Sequence, residues 1–209
     1  MTYGKFITFE GPDGSGKTTV SAAVCDKLSE LGIPVRYSRE PGGSKIAEEI
    51  RNIILDPANT EMDVRCEALL YAASRAQHLK DIVLPSLEQG IHVICDRFLD
   101  SSIAYQGYAR GIGAQPVMDI NRFAIGGHMP VKTIYLDVPA EVGLERINSR
   151  RKESDRLDLE GIAFHEAVCR GYQKVVEEAG ERIVVIDASM PLEDVINASL
   201  NAVLEILNG

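Results

Sequence analysis

Short β-rich runs alternate along the chain with longer stretches in which apolar residues recur every three or four positions. The short runs read as buried strands: Lys5–Phe9, Val35–Tyr37, Ile91–Cys95, Thr133–Leu136 and Ile183–Ile186. The longer stretches read as amphipathic helices. In Lys17–Leu31, Val20, Val24, Leu28 and Leu31 share one face, and Gly32 supplies the stop. Ser44–Leu55 turns Ala47, Ile50 and Ile54 inward, and Arg65–Glu88 is expected to break before Pro85. Gln115–Ile125, Ala140–Arg151, Asp158–Ala179 and Pro191–Leu207 complete the set. Five buried strands separated by helices require right-handed crossovers, hence a parallel sheet covered on both faces. Ligands of such α/β sheets bind beyond the carboxyl ends of the strands.

Composition narrows this picture. A chain of 209 residues, 45% hydrophobic and 25% charged, suits a single domain spanning 1–209 with a real core. No apolar run reaches the roughly 18 residues of a membrane span, so no membrane partner is expected. The opening MTYGKFITFE lacks a secretory pattern, and a cytoplasmic protein is the expectation. The cysteines (Cys25, Cys66, Cys95, Cys169) and histidines (His78, His92, His128, His165) are scattered without ligand spacing. The net charge of −9 disfavours nucleic acid as a partner. An acidic protein that binds phosphates must gather its cations locally.

One such place is evident. Gly11-Pro12-Asp13-Gly14-Ser15-Gly16-Lys17-Thr18, followed by Thr19, matches G-x-x-x-x-G-K-[ST] between a strand and a helix. Glycines let backbone N–H groups face phosphate oxygens, and the helix N-terminus adds its positive end. Lys17 is placed to neutralise the β and γ phosphates, and the Thr18 hydroxyl to ligate Mg²⁺. Three strands end in aspartate (Asp96, Asp137, Asp187), and any of them could hold the metal through water.

Arginines separate hydrolysis from transfer. Arg97 follows Asp96 at a strand end, where it could bridge the transferred phosphoryl and an acceptor phosphate. Arg51 and Arg75 recur on the second and third helices. Two phosphates about 4 Å apart repel by several kcal/mol at intermediate dielectric, so an enzyme joining them must supply fixed cations. The run Ser149-Arg150-Arg151-Lys152-Glu153-Ser154-Asp155-Arg156 reads either as a solvated face or, in a kinase, as a lid over ATP at about residues 148–158. No water-orienting switch segment stands out, and transfer is the reading.

Taken together, these residues resemble the bacterial thymidylate kinase family over essentially the whole chain. The resemblance rests on Phe9 through Thr19, Arg39-Glu40-Pro41-Gly42-Gly43, Glu67 through Arg75, Asp96-Arg97-Phe98 with Asp100 through Gly107, Tyr135 through Pro139, and Asp155-Arg156. It implies a P-loop three-layer α/β fold with a short lid, ATP and Mg²⁺ as donor and cofactor, dTMP as acceptor, and a homodimer. By that resemblance Asp13 contacts the acceptor's 3′-hydroxyl, and Arg51 and Arg97 hold its phosphate. Tyr71 stacks on the pyrimidine, while Arg75, Ser102 and Gln106 read its edges. Tyr105 crowds C2′, and Glu40 supports the site through water or through Arg97. Asp96 and Thr18 serve the metal. Because the phosphate loop has no cation besides Lys17, the chain matches the type that places its transfer arginines in the lid: Arg150, Arg151 and Arg156. A deoxynucleoside kinase, another nucleoside monophosphate kinase and a regulatory ATPase are the rival readings.

Overall fold

The computed structural model describes residues 3–150, 156–157 and 160–209, without the side chains of Asn148 and Arg150. Five strands form one parallel sheet in the order β2-β3-β1-β4-β5: β1 Phe6–Glu10, β2 Val35–Arg39, β3 His92–Asp96, β4 Lys132–Asp137 and β5 Ile183–Asp187. The helices are α1 Lys17–Glu30, α2 Lys45–Leu55, α3 Val64–His78, α4 Leu84–Glu88, α5 Leu99–Ser102, α6 Ala114–Ile125, α7 Ala140–Arg150, α8 Ile162–Ala179 and α9 Leu192–Asn208. The expected α/β architecture is what the chain adopts.

The central strands β1, β3 and β4 read as largely apolar runs because both faces of the sheet are covered there, whereas the edge strand β2, VRYSR, buries only Ser38. Ile7, Phe9, Ile94, Ile134 and Leu136 pack with Val20, Val24 and Leu28 of α1 and Val195 and Val203 of α9. On the other face Phe6, Val93, Cys95 and Tyr135 pack with Leu79, Phe98, Tyr105, Val168 and Tyr172. Register then fixes the functional edge: Phe9 lies opposite Asp96, Glu10 opposite Tyr135, and Arg39 opposite Asp96. The segments after β1, β2 and β3 therefore leave the sheet side by side.

Helix ends follow local chemistry. Gly32, at φ 76°, closes α1, with Ile33 N donating to Leu28 O at 3.1 Å. Two expectations are corrected. The third helix does not break before Pro85: a π-helical turn, Leu79–Val83, joins α3 to α4, and Pro85 sits in the first turn of α4, where its missing N–H costs least. The eighth helix starts at Ile162 rather than Asp158. An element without an expectation also appears. α5 runs into a second π-helical turn, Ile103–Ala109, and this helix is buried from Leu99 to Gly107. It packs on α8 so closely that a Cβ on Gly171 would meet Ala104 O at 2.9 Å.

Candidate active site

The glycine-rich segment after β1 turns through Gly11, Gly14 and Gly16, all at positive φ, and delivers Lys17 to the start of α1. Gly14 is required for a second reason. Its Cβ would lie 2.1 Å from Gly143 O, so this loop is braced directly on the backbone of α7. Lys17 is buried, with Nζ 3.1 Å from Pro12 O and 3.7 Å from Asp13 Oδ1. Burial, then the neighbouring Arg97, lowers its pKa to about 8 against the pull of Asp13, Asp96 and Glu10.

The Thr18 hydroxyl donates to Asp96 Oδ2 at 2.5 Å. Asp96 Oδ1 and Ser15 Oγ are buried without a hydrogen-bond partner among the described residues. A hydroxyl, a carboxylate with an unused oxygen and an ammonium beside a phosphate cradle are the donor set that a magnesium triphosphate needs, so the residues present fit that group.

Arg97 is the one described non-glycine residue at positive φ, 73°. The left-handed region costs an arginine on the order of 1 kcal/mol, and the surroundings hold it there. Its N–H donates to Phe9 O at 2.9 Å. Its guanidinium donates to Ser101 Oγ at 3.1 Å, Gly11 O at 3.3 Å, Tyr105 OH at 3.2 Å and Asp13 Oδ1. The Tyr105 hydroxyl in turn donates to Asp13 Oδ2 at 2.8 Å, and its ring lies 5.0 Å beneath the Arg97 carbon. Burial would raise the Asp13 pKa, but Arg97 and then Lys17 outweigh it and hold the carboxyl well below its usual range.

Behind this pair sits Glu10, a residue to which sequence reasoning assigned no role. Its carboxylate accepts from Phe98 N at 2.7 Å, Ser101 N at 3.2 Å, Ser101 Oγ at 2.5 Å and Tyr172 OH at 2.9 Å. It thereby pins the backbone on the far side of Arg97. Burial, then the like charge of Asp100, raises its pKa to about 7. The only signal for it in the sequence is its place at the carboxyl end of β1.

Glu40 follows β2 and is tied to Arg75, Oε2 to Nε 2.8 Å, and to His78, Oε1 to Nδ1 2.9 Å. The expected alternative, support through the Arg97 guanidinium, is corrected: Arg97 pairs with Asp13. Arg75 is 1% exposed and also donates to Ser102 Oγ at 3.1 Å, Phe98 O at 2.9 Å and Asn121 Oδ1. It stands behind the cleft wall rather than in it.

The cleft of about 460 Å³ is lined at one end by Gly14, Gly16, Lys17, Thr18 and Thr19, and at the other by Arg51, Tyr71, Ser102, Tyr105 and Gln106. Asp13, Asp96 and Arg97 lie on the same cleft, as do Glu40 and Arg39. Arg51 and Arg39 both donate to Pro41 O, at 2.9 and 3.2 Å. Gly11, Pro12 and Ser15 complete the loop without lining the cleft. A smaller hollow of about 100 Å³ continues past Gly14, Gly16 and Thr19 to Ala188, Met190 and Leu192. Arg146 of α7 borders both and donates to Ala188 O at 3.0 Å.

Of the three lid arginines, Arg151 and the Arg150 side chain lie outside the described residues. Arg156, one of the three lid arginines among which sequence leaves open the contact with the transferred phosphoryl, lies beside Glu67 and the end of α2. It donates through Nε to Ile54 O at 2.9 Å, through its backbone N–H to Leu55 O at 3.2 Å, and through Nη2 to the Glu67 carboxylate. Those carbonyls at the C-terminus of α2 attract a cation, which sequence spacing does not reveal.

Comparison with known proteins agrees with this geometry. The family model described as thymidylate kinase matches residues 9–198. A thymidylate kinase of Geobacillus sp. (strain WCH70) is 51% identical over 207 residues, covering 99% of each chain. Those of Bacillus velezensis (strain DSM 23117 / BGSC 10A6 / LMG 26770 / FZB42) and Clostridium novyi (strain NT) are each 54% identical, over 205 and 196 residues. These alignments cover 98% and 93% of this chain, and 97% and 96% of the relatives. With the phosphate loop, the Asp13–Arg97 pair and the arginine-lined cleft all inside the matched region, the chain belongs to the thymidylate kinase family.

Proposed function

We propose that the cleft transfers the γ-phosphoryl group of ATP to the phosphate of dTMP, giving dTDP and ADP, with Lys17 and Arg97 flanking the transfer. One observation carries this reading: a phosphate-binding loop and an arginine-bearing, tyrosine-walled pocket open into one cleft with Arg97 between them. The triphosphate lies on the Gly11–Thr19 loop, and the hollow beside Arg146 takes the donor's base end. At the other end Arg51 and Arg97 face the acceptor phosphate, Tyr71 and Gln106 its base, and Asp13 with Tyr105 its sugar. Ser102 and Glu40 line that wall, and Arg75 braces it from behind.

Thr18 and, through water, Asp96 would hold magnesium, which would supply neutralisation of phosphate charge. The chain's own groups do the rest by position and charge. The acceptor phosphate is already ionised near neutral pH, so no strong base is needed. Asp13 is a poor base, since its carboxyl is held well below the usual range by Arg97. A deoxynucleoside kinase would need such a base for a neutral hydroxyl.

Arg150 and Arg151 complete the charge neutralisation from the lid. The enzyme works as a homodimer in the cytoplasm: α3 and α6 pack side by side and leave Leu69 and Phe123 exposed, and the four cysteines are free thiols. An ADP-release assay across nucleoside monophosphates and thymidine tests the reading. dTMP is expected to be the preferred acceptor. Turnover of thymidine but not dTMP would overturn it.

A further inference from the structure

Glu67 is 1% exposed on α3, one turn before Tyr71, and takes no part in the roles above. Its carboxylate collects donors from two other parts of the chain. Gln106 Nε2 donates to Oε1 at 2.9 Å, Arg110 Nε donates to the same oxygen at 3.3 Å, and Arg156 Nη2 donates to Oε2. Arg110 is itself held by Glu160, Nη1 to Oε1 2.6 Å, and lies over the Phe164 ring at 4.5 Å. The Arg156 end is seated a second time on the carbonyls of Ile54 and Leu55. The next residue, Leu157, lines the cleft together with Leu55 and Tyr71.

Two consequences follow from carboxylate chemistry. An ionised carboxylate accepts and never donates, so the amide of Gln106 must turn its NH₂ toward Glu67. The Gln106 carbonyl oxygen is then the end left for a ligand in the cleft, and it answers a donor. A buried carboxylate with charge-assisted bonds to two arginines also fixes where Arg156, and hence Leu157, sits.

We infer that Glu67 is a positioning residue for the acceptor site: it sets the sense of the Gln106 amide and seats the 156–157 segment as a wall of the pocket. This rests on the acceptor reading given above. The site thereby favours a base with a ring N–H, as in thymine, over one with a bare ring nitrogen at that place, as in cytosine.

Calorimetric binding of dTMP, dCMP and ATP to wild type and Glu67→Gln is the test, because it does not depend on turnover. The neutral amide keeps the shape of the carboxylate but can offer either end to Gln106 and attracts Arg156 less. Affinity for dTMP should fall about tenfold or more, the preference for dTMP over dCMP should narrow by a similar factor, and ATP affinity should stay within about twofold. Arg156→Lys, which keeps the charge and loses the planar fork, should weaken dTMP alone, and the double variant should fall short of the sum. Should Glu67→Gln fail to fold, Arg156→Lys decides. An unchanged dTMP preference in Glu67→Gln, equal losses for ATP and dTMP, or additive effects overturns the inference. A wild type that binds dTMP selectively but does not phosphorylate it defeats the functional reading and leaves this one standing.

Discussion

Asp13 and Arg97 hold one another across the middle of the cleft, one carboxylate oxygen on the guanidinium and the other 2.8 Å from the Tyr105 hydroxyl. They are 84 positions apart in sequence. What joins them is the register of β1 with β3, which puts Phe9 opposite Asp96 and so sends both segments off the same edge. The pair gives the site a fixed cation whose geometry is set before any phosphate arrives.

Replacing Arg97 with alanine should therefore lower turnover by about 10²–10³, the scale for losing one preorganised donor to a transition state. ATP affinity should change little, because the phosphate loop and Lys17 stay in place. Steady-state kinetics together with nucleotide titration checks both halves.

The same pair sets an acid limit on stability. Burial raises the Asp13 pKa, but Arg97 lowers it more, so the folded value lies below the unfolded one near 3.8. Below 3.8 the unfolded chain then binds more protons than the native one, and stability falls as pH drops; above it the contribution is fully present. Asp13→Asn should flatten the acid limb of a denaturant-derived stability curve below pH 4 by up to about 1.4 kcal/mol per pH unit.

Gly143 allows the phosphate loop to rest on α7, since a Cβ there would lie 2.4 Å from Asp13 O. The obstacle is backbone, which cannot swing aside as a side chain can. Gly143→Ala should cost about 1–3 kcal/mol in stability, the usual range for overpacking, and raise the KM for ATP. Thermal unfolding and kinetics on one preparation measure both.

Thr18→Ala removes the hydroxyl that binds Asp96 Oδ2. ATP alone should still raise the melting temperature, while the extra rise that Mg²⁺ adds for wild type should largely vanish. Differential scanning fluorimetry with and without a chelator reads the difference.

Phe123 is 93% exposed on α6, and Leu69 is exposed on the neighbouring α3. Phe123→Asp should convert the proposed dimer into monomers with an unchanged far-ultraviolet spectrum. Light scattering across a concentration series gives the mass.

Short β-rich runs located all five strands, most plainly the central β1, β3 and β4, because strands covered on both faces cannot hide their apolar residues. The phosphate loop was equally legible, since its chemistry is local: glycine spacing, one lysine and one hydroxyl within a single turn. The helix from Leu99 to Ala109 was not. Its sequence, with two serines, two tyrosines and a glutamine, offers only Leu99, Ile103 and Ala104 as a short apolar stripe, and the helix is held by Glu10, α8 and the sheet around it.

Side-chain pairing was likewise beyond any one-dimensional pattern. Glu40 could have met either Arg75 or Arg97, and Arg156 could have faced the phosphate loop instead of Glu67 and the end of α2. Such choices depend on which charges the strand register and helix packing bring within about 4 Å, where electrostatic energy is large enough to decide. Local sequence specifies the elements and the chemistry each can offer; which partner each charge finds is settled only when the layers close.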